Sequence, residues 1–365
     1  MKSVNRLLYL DWMRGIAAVI MLQGHVFHSF LRNDLRSGGP YVFSQFVGGA
    51  PPAAFLFLTG ITLAFLMDSQ SRKGLTRQAR LGGSLRRAGY LFTIAFAFRI
   101  QLWVFTRIFS DADSPWTEML KVDILNCMGF GIALLAILAV FTTRQRIFIG
   151  VIVGVLIAGL SPLVSQSAGA GLPPLLRDYV VPSYNYFAFF PWAAFVAFGI
   201  SVGSVFRVLR QDRLTQAMQW FALGGLALSV GGAGLSSPIE HLYLKSDFWL
   251  DAPSLIVIKL GVLLMLLSFS YACMSQTSAQ GWSWVRQLGT TSLLVYWVHI
   301  ELVYGSWLGW MKMNLSLGQT VLAAIGIIGA MIALSVLKSS WRSWGIAIRT
   351  ALVPPQPLSS RVSGD

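Results

Sequence analysis

The chain has 365 residues, 55% of them hydrophobic and only 12% charged, and its formal net charge is +14. So few charges over so many apolar residues exclude an ordinary soluble globular protein and identify a polytopic membrane protein. Basic residues standing between apolar runs orient spans across a bilayer, so the positive balance does not make nucleic acid a partner.

The first apolar run, Tyr9 to Phe30, carries four polar groups that a purely structural span would avoid: Asp11, Arg14, His25 and His28. At 100° per residue the eleven steps from Arg14 to His25 fall about 20° from three full turns, so both side chains share one helix face, about 16 Å apart along the axis. A cation and a titratable imidazole thus sit at different depths of one stripe, which suits a long ligand with one anionic and one reactive end. The plainer alternatives are an i, i+3 ion pair between Asp11 and Arg14 and an Arg14 that snorkels to the interface. The run has no small-residue cleavage site, so it is expected to remain in the mature protein.

About 20 helical residues cross a bilayer core of about 30 Å. On that measure ten spans are expected, near residues 7–30, 46–67, 84–108, 121–142, 146–166, 187–207, 218–236, 253–273, 289–309 and 319–342, giving an all-α membrane helix bundle. Residues 1–345 form one transmembrane domain, and 346–365, with Pro354, Pro355 and Pro357, are expected to be a disordered tail. Of the 28 Lys and Arg, eighteen fall on the side of the N-terminus, seven on the other, and Arg14, Arg99 and Lys259 within spans. Cytoplasmic loops keep the excess of Lys and Arg, so both termini are expected in the cytoplasm of a cell whose inner (plasma) membrane holds the protein.

That orientation sorts the intramembrane polar residues by depth, and each such residue is a functional candidate because its burial in lipid is expensive. Arg14, with Arg86 and Arg87 at the foot of the third span, lies on the cytoplasmic side. His25, Asp123, Asn126, Asn185, His299 and Glu301 lie towards the external side, with Lys259. Lys259 and Arg99 are each expected to pair with a carboxylate. The connection from about Ser161 to Asn185, rich in proline, is either a lid over the external mouth or a linker. Gly150 with Gly154, and Gly199 with Gly203, place small residues four apart, as close helix packing requires. Cys127 and Cys273 lack the spacing or neighbours of a metal site and read as small buried hydrophobes, so no metal is expected.

LDWMRG followed by His25, with ten residues between Arg14 and His25, resembles the signature of the transmembrane acyltransferase superfamily. GGAPPAAFLFLTGITLAF, VDILNCMGFGIALLAI, FFPWAAFVAFGISVG and LGTTSLLVYWVHI are similar, in order, to stretches of its heparan-α-glucosaminide N-acetyltransferase family, in a bacterial-type member. The resemblance implies acetyl-coenzyme A as acyl donor on the cytoplasmic side, a sugar or glycan acceptor on the external face, and His25 as the catalytic group. It implies a supporting or phosphate-side role for Arg14, and by similarity of surroundings alone it extends to Asp123, Asn126 and His299. Arg86 and Arg87 would complete a phosphate clamp. His25 would act as general base or as an acetyl-accepting nucleophile, its ring oriented by a carboxylate such as Asp123 or Glu301. The alternative is a secondary transporter of an anionic sugar or lipid-linked substrate, with His25 relaying protons. The sequence also permits a homodimer.

Overall fold

The computed structural model describes residues 7–109, 116–167, 170–276 and 281–352. Its helices are α1 (Leu8–Phe30), α2 (Gly39–Gly48), α3 (Pro51–Arg72), α4 (Arg77–Phe109), α5 (Ile124–Leu135), α6 (Thr143–Ser167), α7 (Pro174–Val180), α8 (Phe189–Val208), α9 (Leu214–Gly234), α10 (Ser236–Glu240), α11 (Pro253–Gln276), α12 (Trp284–Thr290), α13 (Ser292–Tyr304) and α14 (Leu317–Leu352). Short 3-10 turns join several of them, and one isolated parallel bridge pairs Leu31 with Leu315.

Among the described residues six helical segments, not ten, are both long and apolar enough to cross a membrane: Gly39–Arg72, Arg77–Ile108, Thr143–Ser167, Phe189–Val208, Pro253–Ser275 and Leu317–Trp341. The segments Ile124–Val140 and Ser292–Tyr304 are apolar but shorter. The last helix runs to Leu352, into the stretch expected as a tail, and residues 353–365 lie outside the described residues. So do Lys2, Arg6 and Arg361 of the charge pattern.

Small residues set the packing of the centre. A methyl built on Gly60 would fall 2.1 Å from the Val196 carbonyl oxygen, and one on Gly199 would fall 2.0 Å from that of Phe57, so α3 and α8 meet backbone to backbone. Gly150 and Gly203 make the same kind of approach, to the backbones of Ala197 and Ile61, while Gly154 makes room for the Phe198 ring, and α8 is thereby clamped between α3 and α6. Proline at the first turn of α3, where the missing N–H breaks no helix bond, starts that helix.

Two apolar cores result, and α1 belongs to both. Tyr9, Leu10, Met13 and Ala17 join the large core of α3, α5, α8 and α11. Leu22, Val26 and Phe30 join a smaller one with Leu288, Val295, Val303 and Met331 of α12, α13 and α14.

Side-chain contacts define two ends of the bundle. At one end Tyr9 meets the rings of Phe206 and Tyr271, and Arg72 donates to the Arg207 carbonyl. At the other, Tyr304 meets His28, and the Phe187 N–H donates to the Val122 carbonyl. Arg14 belongs to the half of α1 nearer the first, arginine-rich end, and His25 to the half nearer the second.

Candidate active site

His25 projects from α1 where the helix enters the smaller core. Its Nδ1 lies 2.9 Å from His299 Nε2, and the two rings stack with centroids 5.2 Å apart and planes inclined by 15°. His299 is fully buried, and its Nδ1 lies 2.8 Å from the Val295 carbonyl oxygen one turn back on α13. A carbonyl only accepts, so His299 Nδ1 carries a proton and, in the neutral ring, Nε2 presents the lone pair. His25 Nδ1–H therefore donates to His299, which leaves the lone pair of neutral His25 on Nε2. The arrangement yields one fixed tautomer with one basic nitrogen.

Backbone geometry holds this pair. Between α12 and α13 the chain breaks at Thr291, which leaves the helical region at φ −116° and ψ 17°. The break lies next to Gly289, where a methyl would meet the Asp11 carbonyl oxygen at 1.7 Å, while a methyl on Gly15 would meet the Val285 carbonyl oxygen at 1.9 Å. The two backbones touch at these glycines, and α13 then carries His299 alongside α1 to the level of His25.

Aromatic groups close the site. The Tyr304 ring stands edge-on to His25 at 5.3 Å, and its hydroxyl lies 3.3 Å from Nδ1 of the exposed His28. Tyr296 meets His299 edge-on at 5.7 Å and Phe98 of α4 at 5.7 Å. Next to Phe98, Arg99 makes an ion pair with Asp123, Nε to Oδ2, at 3.4 Å. Asp123 is also the N-cap of α5, its Oδ1 accepting from the N–H groups of Leu125 and Asn126 at 2.9 and 3.0 Å.

Other candidates stand at a distance from the histidine pair. Asn126 is fully buried and donates from Nδ2 to the Tyr179 hydroxyl at 2.8 Å. That bond ties α7, the helical part of the proline-rich connection, down onto α5. Glu301 is buried, with the Trp307 side chain as the hydrogen-bonding neighbour of its carboxylate. Two residues beyond His299, it points about 200° around α13 from that ring. Asn185 is exposed on a surface loop whose Tyr184 donates to Asp247 at 2.8 Å. Lys259 has an aromatic neighbour in place of the expected carboxylate: its Nζ sits 4.9 Å from the Trp192 ring centroid.

At the arginine-rich half, Arg14 makes the ion pair that its spacing from Asp11 allows, at 2.8 Å, with Asp11 buried. Arg87 lines a cleft of about 240 Å³ with Thr59, Thr62, Leu63, Leu66 and Ile132, between α3, α4 and α5. Arg86 is exposed. Among the described residues no three His, Cys, Asp or Glu side chains gather as a metal site.

The residues that sequence reasoning passed over are Tyr304 and Tyr296, and the role of His299 as the group that holds the His25 ring.

No curated protein matches the chain. The family profile described as heparan-alpha-glucosaminide N-acetyltransferase, catalytic, matches residues 6–236, a stretch that includes Arg14, His25, Arg86, Arg87, Asp123, Asn126 and Asn185 and ends before His299 and Glu301. With more than half of its length inside that match, the chain belongs to the heparan-α-glucosaminide N-acetyltransferase family.

Proposed function

We propose that the protein is an acetyltransferase that takes an acetyl group from acetyl-coenzyme A on the cytoplasmic side of a cell's inner membrane and passes it to an amino sugar or glycan on the opposite face. The chain crosses the membrane ten times with both termini in the cytoplasm, which makes the arginine-rich end cytoplasmic. Residues 1–345 are the catalytic unit. The observation that carries this reading is the chain of hydrogen bonds from His25 through His299 to the Val295 carbonyl, which leaves one unshared lone pair, on His25 Nε2.

The chemistry needs one base at that nitrogen. His25 Nε2 takes the proton from the acceptor amine or hydroxyl as the acceptor attacks the thioester carbonyl. The carbon–sulfur bond breaks, and His25 returns the proton to the departing thiolate. The new amide or ester, coenzyme A thiol and neutral His25 balance the reaction. His299 keeps the ring oriented and accepts the Nδ1–H bond throughout, a duty for which a carboxylate such as Asp123 or Glu301 is not required. Asp123 instead shapes the wall of the site by capping α5 and holding Arg99, with Asn126 and Tyr179 keeping α7 in place. Arg87 and the hydroxyls of Thr59 and Thr62 give the α3/α4/α5 cleft the mixed lining that suits the donor's amide-bearing arm, while Arg86 adds positive charge on the donor side and Arg14, its charge matched by Asp11, supplies N–H donors there. Glu301 and Asn185 are left to the acceptor side.

The test is release of coenzyme A thiol from acetyl-coenzyme A by purified protein in nanodiscs, with glucosamine-terminated oligosaccharides as acceptors. Acceptor-dependent release that disappears in a folded His25→Ala variant is expected. No release with any amino sugar or glycan tried would sink the reading.

A further inference from the structure

The arginine-rich end contains a second cluster that the acetyl-transfer chemistry does not use. Asp68, near the end of α3, is 3% exposed and accepts from Arg72 Nε at 2.8 Å, Arg207 Nε at 2.6 Å and the Thr143 hydroxyl at 2.8 Å. Arg146 is fully buried beside it, donating from Nη2 to Thr143 Oγ1 at 3.0 Å and from Nη1 to the Ala64 carbonyl at 3.4 Å. Arg80, 8% exposed, makes a long bond of 3.5 Å to the Val140 carbonyl. The charges bearing on Arg146 are Asp68 and Arg80. Arg72 of α3 and Arg207 of α8 thus hold the Asp68 carboxylate, Arg146 of α6 reaches it through the shared Thr143 hydroxyl, and Arg80 of α4 bears on Arg146; among the described residues Asp68 is the only carboxylate paired with any of the four.

That balance is unfavourable as it stands. Buried charges are ordinarily matched and hydrogen-bonded, because desolvation is not recovered otherwise. Here Nε of both Arg80 and Arg146 is buried with no hydrogen-bond partner among the described residues. Two cations with donors to spare thus form the inner part of the cluster. Arg72 and Arg207, with side chains 61% and 34% exposed, form a rim open to solvent. Phosphate fits what is missing: it brings close to two negative charges and several acceptor oxygens, and guanidinium forks bind it through paired N–H bonds. A carboxylate has two oxygens and one charge, too little for a surplus of three cations.

We propose that this cluster is a binding site for a phosphate group, entering past Arg72 and Arg207 to reach Arg80 and Arg146. Asp68 serves as the fixed counter-charge that holds the two rim arginines in place. The α3 face that bears Asp68 and Ala64 is turned about 180° from the Thr59 and Leu66 face that lines the Arg87 cleft, so the two basic regions lie on opposite sides of α3. The phosphate can come from a soluble nucleotide or from the headgroup of an anionic lipid, and the two sources separate in one experiment.

Full-length protein is reconstituted in phosphatidylcholine nanodiscs, and its thermal midpoint is followed while adenosine 3′,5′-bisphosphate is added. In a parallel arm phosphatidylglycerol replaces part of the lipid. A rise in midpoint in either arm that is lost in Arg80→Gln and reduced at least several-fold in Arg72→Gln supports the site. The arm that responds names the source. Should Arg80→Gln fail to fold, the exposed rim variant Arg72→Gln decides alone. No rise in either arm, or an equal rise in wild type and Arg72→Gln, overturns the proposal. The midpoint is read without acetyl transfer, so this result stands apart from the fate of the acetyltransferase reading.

Discussion

His299 accepts a 2.9 Å hydrogen bond from His25, and its own Nδ1 is committed to the Val295 carbonyl at 2.8 Å. One histidine thereby dictates the tautomer of another, the service that a carboxylate gives in better-known catalytic pairs. If His25 Nε2 is the base, loss of His299 leaves the ring free to turn and to carry its proton on the wrong nitrogen. His299→Ala should then lower kcat by roughly 10²- to 10⁴-fold, the range spanned by general-base contributions, with the KM for acetyl-coenzyme A nearly unchanged. His299→Gln, which can still offer an acceptor oxygen, should recover at least about tenfold of the loss. Steady-state kinetics of both variants check this, and a kcat for His299→Ala within about threefold of wild type would count against the pair.

The glycine contacts between α1 and α12 fix how the two histidines meet, so they predict a stability effect with a built-in control. A methyl at Gly289 would sit 1.7 Å from the Asp11 carbonyl oxygen, whereas one at Gly318 meets nothing within 4 Å. Backbone cannot yield as a flexible side chain can. Gly289→Ala should destabilise by about 1–3 kcal/mol, the usual scale of overpacking, and Gly318→Ala should be neutral or slightly stabilising within its helix. Thermal midpoints in a common detergent compare them, and an unaffected Gly289→Ala would mean that the two helices separate easily.

These two sites also mark how far the sequence could be read. Helix positions follow from apolar runs of span length, and Arg14 and His25 follow from periodicity, because both are properties of a single segment. The partner of His25 lies 274 residues away, on a helix whose break at Thr291 shows in no hydropathy pattern. Asp123 looked like an orienting carboxylate because its depth matches that of His25. Its bonds to the N–H groups of Leu125 and Asn126 are a local helix cap, whereas its pairing with Arg99 of α4 depends on how α4 and α5 pack. Asp11 with Arg14 was legible for the opposite reason: three residues on one helix need no tertiary information.

Asp123 and Arg99 should behave as a structural unit. With side chains 7% and 14% exposed, removing one partner strands the other in a poorly hydrated place. Asp123→Ala is expected to cost about 3–5 kcal/mol, including the lost helix cap. The double variant with Arg99→Met should be more stable than Asp123→Ala alone, because the stranded cation is gone. Denaturation of the two single variants and the double variant gives the coupling. A double variant as unstable as the sum of the singles would break the link, and the remaining folded fraction of Asp123→Ala should still turn over with His25 intact.

Sidedness is the last expectation, and it rests on two exposed positions at opposite ends. Arg86 lies in the early part of α4, towards the arginine-rich end, and Tyr184 lies on the loop before α8, close to Asp247. Loops rich in Lys and Arg resist translocation, so Arg86 is expected inside and Tyr184 outside. In a background where Cys127 and Cys273 are replaced by serine, Tyr184→Cys should react with a membrane-impermeant maleimide on intact cells or spheroplasts. Arg86→Cys should react only after the membrane is opened. With acetyl-coenzyme A proposed as a cytoplasmic donor, the same experiment tests whether it could approach from the arginine end with His25 nearer the other compartment. Labelling of Arg86→Cys on intact cells would invert the bundle and reverse the proposed donor and acceptor sides, while the hydrogen bond between His25 and His299 does not depend on orientation.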